Sequence, residues 1–420
     1  MKRDTTDSNL VPIHQIPETT DALTEICREG AQKMLQMAIE NEVAEYIESH
    51  SKSVDNKGHR LVVRNGHHPE RSIQTGLGNI PVSKPKVNDK RVASDGSKMR
   101  FSSSIIPPYL KRSKTMEEFI PWLYLRGISS GDFNEALGSL LGQGASGLSA
   151  STVVNLKRCW EEEYRDWNKR DLKGKEYVYI WADGIYPRIR LDNSESQCFL
   201  VIMGATSEGK KELIAIGEGA RESDLEWREV LLDLKRRGLV EPPKIAVGDG
   251  AIGFWQALSK VYPNTIHQRC WVHKTCNILA KLPQSQQPKA KGLLHNIWMA
   301  ETRHDANEAF EHFLETYKPK YEKAAICLEK DKDELLHFYD FPAEHWKHLR
   351  TSNPIESMFA TIRLRTKRTK GHGNAMAALT MAFKLAKCAE KKWRKLSGYE
   401  LIADVINIKF KFVDGVKMAA

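Results

Sequence analysis

Three carboxylates stand where chemistry is easiest to build. Asp183 ends the apolar run Tyr177-Val178-Tyr179-Ile180-Trp181-Ala182, and Asp249 ends Ile245-Ala246-Val247-Gly248. Each is followed by glycine, Gly184 or Gly250, which lets the backbone turn just past the acid. Strand ends are where ligands collect in open sheets. The third acid, Glu356, lies at the head of a helix that begins Asn353-Pro354-Ile355-Glu356. Together the three offer hard oxygen ligands for two Mg²⁺ ions, with Mn²⁺ as a substitute. Two such ions suit the breaking and making of phosphodiester bonds. Each acid also has a plainer use. A strand-end Asp caps the element after it, and Asn353 to Glu356 reads as a capping box with Pro354 at the first helical position. The local sequence does not separate cap from ligand.

The residues after Glu356 favour the ligand reading. Arg363, Arg365, Lys367, Arg368 and Lys370 load the helix with cations, and no acid occurs between Ser357 and Ala389. At 3.6 residues per turn, Arg363, Lys367 and Lys370 share the Glu356 face. A DNA backbone lying along that face would lead into the acids, while Arg365 and Arg368 point toward a different DNA segment. Elsewhere His267, Cys270, His273 and Cys276 recur every three residues, which invites zinc. The first pair falls on or near a strand and the second on a helix, so all four are not expected to converge. A packed Cys270, with His273 near the acids or DNA, is the preferred reading.

Charge points the same way. The 420 residues carry a net +10 with a pI near 9.1. Residues 51–114 hold 14 Lys/Arg against 4 Asp/Glu, and residues 357–397 hold 11 against 1, so each block nets +10 and the rest of the chain −10. Two basic blocks on an otherwise acidic chain imply two surfaces for a polyanion, most readily double-stranded DNA. No apolar run approaches the ~18 residues of a membrane span, and MKRDTTDSNL lacks the apolar core of a secretory signal. Seven scattered cysteines read as reduced thiols in a cytoplasmic protein, and a DNA partner would make it nucleoid-associated. Neither a membrane nor a small-molecule substrate is expected.

The elements that must position these groups can be read from periodicity. Residues 1–20 are polar and are expected to be disordered. Residues 21–50 have helical spacing, as either a core or a dimer helix. Short strands at Leu61–Arg64, Ser72–Thr75 and Asn79–Val82 form a basic module within 21–114. Residues 115–170 read as a helix-turn-helix-like set: a helix to Gly127, a second over GDFNEALGSLLG, and a third capped by Ser149 that presents Lys157 and Arg158 to DNA. Residues 171–282 alternate as β-β-β-α-β-α-β-α, a mixed sheet covered by helices. An all-helical insertion (283–350), a return segment (351–400) and a C-terminal tail (401–420) complete a multidomain α+β chain.

With those residues in view, the chain resembles the Mutator-type transposases of bacterial insertion sequences from about Met34 to Leu396. MLQMAIENEVAEYI, RNGHHPERSIQTGLGNIPVSKPKV, LYLRGISSGDFNEALGSLLG, GLSASTVVNLK, YVYIWADGIY, GDGAIGFWQAL, QRCWVHKTCNI and FPAEHWKHLRTSNPIESMFATIRLRTK carry the resemblance. It implies an RNase H-like catalytic domain and a DDE triad at Asp183, Asp249 and Glu356, with 65 residues between the first pair and 106 between the second. It places the family's basic residue on Arg363 and its Cys-x-x-His word on Cys270 and His273. It further implies a homodimer that holds two terminal inverted repeats, cuts them to leave 3′-OH ends, joins those ends to target DNA, and forms a circular intermediate. Gly66-His67-His68 departs from the family, which usually has an aromatic residue after the glycine, and this bears on end recognition. Two alternatives are an RNase H-like nuclease without strand transfer and a DNA-binding protein without catalysis.

Overall fold

The apolar spacing of residues 21–50 resolves into one helix, Ala22–Ser49. Its inner stripe buries Ile39 and joins Ile73, Ile80, Val82 and Ile106 in a small core. Its outer positions Leu23, Ile26, Met34 and Met37 are 62–67% exposed. The helix therefore has a packed face and a separate apolar face open to solvent. The computed structural model describes residues 22–93, 96–125, 137, 150–187, 198–219, 221–368, 374–407 and 409–419. The chain divides into two compact units, with the boundary between Val154 and Asn155. The stretch expected to be disordered, 1–20, lies outside the described residues.

In the first unit, β1 (Val62–His67), β2 (Arg71–Thr75), β3 (Gly78–Val82) and β4 (Pro85–Asp89) form two antiparallel pairs, β1 with β4 and β2 with β3. β4 was not expected, because Pro85 and Lys86 break its apolar pattern. Gly66, at φ 67°, lies within the register shift between Arg64 and His67, and His67 Nε2 lies 3.2 Å from Glu40. A helix spans Lys114–Leu125. The turn at Gly127–Ser129, the expected middle helix (apart from Leu137) and the Ser149 cap lie outside the described residues. The third expected helix is present as Ala150–Asn168.

The second unit is built on a five-stranded mixed sheet. Its strands are β5 (Tyr177–Ile185), β6 (Cys198–Thr206), β7 (Lys211–Gly219), β8 (Ile245–Gly248) and β9 (Ile266–Arg269), in the order β7-β6-β5-β8-β9. β6 is antiparallel to β5 and β7, whereas β8 runs parallel to β5 and β9 parallel to β8. Strands covered on both faces read as unbroken apolar runs, and every residue of β6 is buried. On one face, Ile180, Ala182, Leu200 and Ile202 pack on Trp227 and Leu231 of the Asp224–Arg236 helix and Phe254 and Ala257 of the Ile252–Val261 helix. The alternate residues of β5 face the other way. There the Tyr179 hydroxyl lies 2.7 Å from His345 Nδ1, and Trp181 Nε1 donates to the His348 carbonyl at 2.9 Å.

Beyond β9 the chain is helical: Trp271–Leu279, Gln287–Met299, Arg303–Tyr317 and Glu322–Glu329, then shorter turns up to Leu349. The excursion closes on itself, because the Trp271 N–H donates to the Arg350 carbonyl at 2.9 Å. Helices Asn353–Arg368 and Ala375–Glu390 come next. The segment expected as a tail holds a hairpin, β10 (Phe410–Val413) with β11 (Val416–Ala419). Its turn, Asp414-Gly415, has both φ positive, 48° and 78°, as tight hairpin turns favour. No helix among the described residues is long and apolar enough to cross a membrane.

Candidate active site

Strand register brings the first two acids together. Ala182 of β5 pairs with Gly248 of β8 in parallel. Asp183 and Asp249 are the next residues along neighbouring strands, which in a parallel pair lie about 4.8 Å apart. Asp183 is only 6% exposed, and its Oδ1 accepts the Gly184 N–H at 2.8 Å. Asp249 Oδ1 accepts the Ala251 N–H at 2.8 Å, so this acid does cap its own turn. The Asp249 carbonyl accepts from Trp255 Nε1 at 3.0 Å and Arg269 Nη1 at 2.7 Å. Arg269 is itself held 3.2 Å from Asp331, which also pairs with Lys274 at 2.5 Å. The turn carrying Asp249 is thereby anchored from three sides.

The third acid arrives on the Asn353–Arg368 helix, but not through the expected capping box. The Ser352 carbonyl accepts the Ile355 and Glu356 N–H groups, each at 3.0 Å, so the cap position falls on Ser352, one residue before Asn353. Asn353 is the exposed first helical residue. The Glu356 carboxylate is turned instead to side chains. Oε1 lies 3.4 Å from His273 Nε2, and Oε2 accepts from Arg363 Nη1 at 3.0 Å. His273 belongs to the helix capped by Cys270. Cys270 is 1% exposed, and its Sγ receives the Ser352 N–H and hydroxyl, each at 3.3 Å.

The electrostatics arise from this crowding. Burial, then the nearby Asp249 and Glu356 charges, push Asp183 up to about 8. Hydrogen bonds to Cys270 and Glu356 raise His273 to about 11. The His273 hydrogen bond, helped by Arg363, lowers Glu356 to about 2. Burial alone would raise the Cys270 thiol, but hydrogen bonds with His273 and Ser352 bring it below its usual value. The raised value favours the protonated form of His273 beside the buried Asp183 and the partly exposed Glu356.

Two groups of potential metal ligands result. Ligand atoms of Asp183, His273 and Glu356 lie within 4.8 Å of one another, as do those of Asp183, Glu222 and Asp249. Asp183 belongs to both. Glu222 was missed in the sequence, where it reads as an ordinary acid before a helix. The zinc alternative does not assemble: among the described residues His267, Cys270, His273 and Cys276 form no ligand group. His267 lies against Trp255 with ring centroids 4.8 Å apart and the rings tilted by 35°, and Cys276 is exposed.

The expected DNA cations divide. Arg363 is exposed beside Glu356, and Lys157 and Arg158 are exposed on their helix. Arg365 is a correction: it is 3% exposed. It continues the buried stripe Ile355, Met358 and Ile362 at helical spacing, so its position is packed rather than open to a polyanion. The helix backbone continues through Lys367 to Arg368, and Lys370 lies outside the described residues.

Comparison with known proteins adds a separate line of observation. A family model described as transposase, Mutator family, matches residues 2–395. The chain is 49% identical over 288 residues to the transposase for insertion sequence element IS6120 of Mycolicibacterium smegmatis, covering 69% of this chain and 88% of that protein. It is 48% identical over 289 residues to the transposase for insertion sequence element IST2 of Acidithiobacillus ferrooxidans, covering 67% and 95%. A more distant relative, the transposase for insertion sequence element ISRM5 of Rhizobium meliloti, is 24% identical over 380 residues, 90% of each chain.

Proposed function

The chain belongs to the Mutator family of transposases, and from that premise we propose that it cuts DNA at the ends of its insertion sequence and joins them to target DNA, with Asp183, Asp249 and Glu356 as a DDE triad. The observation that carries this reading is the parallel pairing of Ala182 with Gly248, which sets Asp183 and Asp249 side by side. Glu356 lies near Asp183 on the other flank. The strand order β7-β6-β5-β8-β9, with the first three strands antiparallel and the rest parallel, supports an RNase H-like catalytic domain.

The donor set fits Mg²⁺, or Mn²⁺ in its place. It consists of carboxylates, one of them 6% exposed and raised first by burial and then by its neighbours' charge, so a divalent cation would relieve repulsion already built into the site. When bound, two such ions activate an attacking oxygen and stabilise a leaving one. Asp183 and Asp249 would hold them, and Glu356 would complete one shell. In the first reaction water breaks a phosphodiester bond at the element's end and leaves a 3′-OH. In the second that 3′-OH attacks a target phosphodiester, forming one P–O bond as another breaks. His273 keeps Glu356 ionised and aimed at Asp183. Arg363, and beyond it Lys367, Arg368 and Lys370 but not the buried Arg365, would neutralise phosphates approaching that end of the helix. The N-terminal basic module and the Lys157–Arg158 helix would recognise the terminal inverted repeats. The open face of Leu23, Ile26, Met34 and Met37 supports a homodimer.

Incubating the protein with a labelled terminal-repeat oligonucleotide, a target plasmid and Mg²⁺ tests the proposal. Labelled ends joined to plasmid are expected. Cleavage without joining would favour a nuclease, and retention of DNA with neither reaction would favour a DNA-binding protein.

A further inference from the structure

Glu222 stands just before the Asp224–Arg236 helix, yet it plays no part in starting it. Ser223 Oγ accepts the Glu226 N–H at 3.3 Å, while Glu226 Oε2 accepts the Ser223 hydroxyl at 3.2 Å and the Arg221 N–H at 3.1 Å. This reciprocal cap is complete without Glu222. Glu222 Oε1 accepts the Tyr186 hydroxyl at 3.2 Å. Its Oε2 is closed off from solvent and, among the described residues, has no hydrogen-bond partner. A buried acceptor left unsatisfied is costly, and more so when charged. Among the described residues no Lys, Arg or His forms an ion pair with Glu222. What the carboxylate does approach is the site, since its ligand atom lies within 4.8 Å of those of Asp183 and Asp249.

The surrounding backbone makes room for this approach. A Cβ on Gly184, the residue after Asp183, would fall 2.3 Å from Glu222 Oε1. A Cβ on Gly253 would fall 2.4 Å from the Glu222 carbonyl oxygen. Two separate elements therefore lack side chains where Glu222 passes.

We propose that Glu222 is a fourth carboxylate of the metal site, binding one divalent cation with Asp183 and Asp249 while Glu356 serves the opposite flank. This rests on the reading of the acids as a metal site. It assigns each flank its own outer acid, with Asp183 shared between them.

The test is Mn²⁺ binding to the full-length protein, read by electron paramagnetic resonance of the free ion. Glu222→Gln keeps the shape and removes the charge. It is expected to weaken one Mn²⁺ by roughly tenfold to a hundredfold, at least the range reached by losing an outer-shell partner, with the other ion and the circular dichroism spectrum unchanged. Wild-type affinity and stoichiometry in that variant would overturn the proposal. Asp183→Asn serves as the comparison: if it too binds as wild type, the metal-site reading itself fails, whereas loss there with no change at Glu222 sinks only the fourth carboxylate. An independent measurement uses the unaltered chain. Fe²⁺-generated hydroxyl radicals should cleave the backbone near Glu222 as well as near Asp183 and Asp249, and cleavage at the latter two alone would also overturn it.

Discussion

His273 Nε2 lies 3.4 Å from Glu356 Oε1, joining the acid at the head of the basic helix to the helix that Cys270 caps. The pair sets a pH window. His273 is raised from 6.5 to about 11, first by its hydrogen bond with Cys270 and then by Glu356, so its stabilisation is full below about 6.5 and fades as pH climbs through 11. Glu356 is lowered from 4.5 to about 2, so its share is full above about 4.5 and is lost as pH falls through 2. Without divalent cations, His273→Gln should cost about 1 kcal/mol at pH 5–6, allowing for screening of half-exposed groups. The loss in melting temperature should shrink toward pH 11. An equal loss at both ends would mean that the pairing is not the source.

Asp183 behaves in the opposite sense. Its value is raised from 3.8 to about 8, so ionising it weakens the fold progressively between those pH values. In the absence of metal, Asp183→Asn should therefore melt higher than wild type at pH 9, with the gain vanishing near pH 4. The same substitution should lower Mg²⁺-dependent cleavage of terminal-repeat DNA by about 10³-fold or more, since removing one charge-stabilising group from an active site already costs about 10²–10³. Unchanged cleavage would rule out its proposed role.

Arg363 and Arg365 should separate cleanly although both are cations of one helix. Arg363→Gln should reduce DNA affinity and flatten the plot of log affinity against log salt by about 0.9 for each phosphate no longer neutralised. Arg365→Gln should leave that slope unchanged and destabilise the protein by about 1–3 kcal/mol, because its position is buried. Filter binding at several salt concentrations, beside thermal melts, checks both.

Gly253→Ala tests the packing behind the site. The added Cβ would meet backbone rather than a flexible side-chain end: the Glu222 carbonyl oxygen at 2.4 Å, Ser223 C at 2.6 Å and Asp224 N at 2.7 Å. One of the two helices must move, at a cost of about 1–3 kcal/mol. Denaturant unfolding reads the loss, and a midpoint equal to wild type would show that the helices can part freely.

Much of the sheet beneath the acids was legible because burial writes itself into β5, β6 and β8 as apolar runs, although β5 continues past Asp183-Gly184 to Ile185, where a strand end was expected, while β8 stops just before Asp249-Gly250. Other features were masked. Pro85 and Lys86 hid β4. Glu222 hid among Asp224 and Glu226, since acids at a helix start are ordinary. The cap on the Glu356 helix was misplaced by one residue because Asn353 before Pro354 is the stronger local signal, whereas the Ser352 side chain is directed to Cys270 by a contact that no local pattern contains. Arg365 was judged by its charge when its spacing from Ile355, Met358 and Ile362 already put it on the inner stripe. The hairpin at the C-terminus did leave a signal, Asp414-Gly415 between valines, but its strands are short.

The Trp271–Arg350 hydrogen bond has a bearing on how such a chain can change over generations. It ties together the two ends of the helical excursion, and Ser352 contacts Cys270 immediately beside that knot. Residues after the Trp271–Leu279 helix and before Asp331 are the ones that can be inserted, deleted or exchanged with least effect on where Glu356 meets His273, because Asp331, His345 and His348 tie the later part of the excursion back to the sheet and its acids. The spacing between the second and third acids is then free to drift, while the knot itself is the part that tolerates no drift.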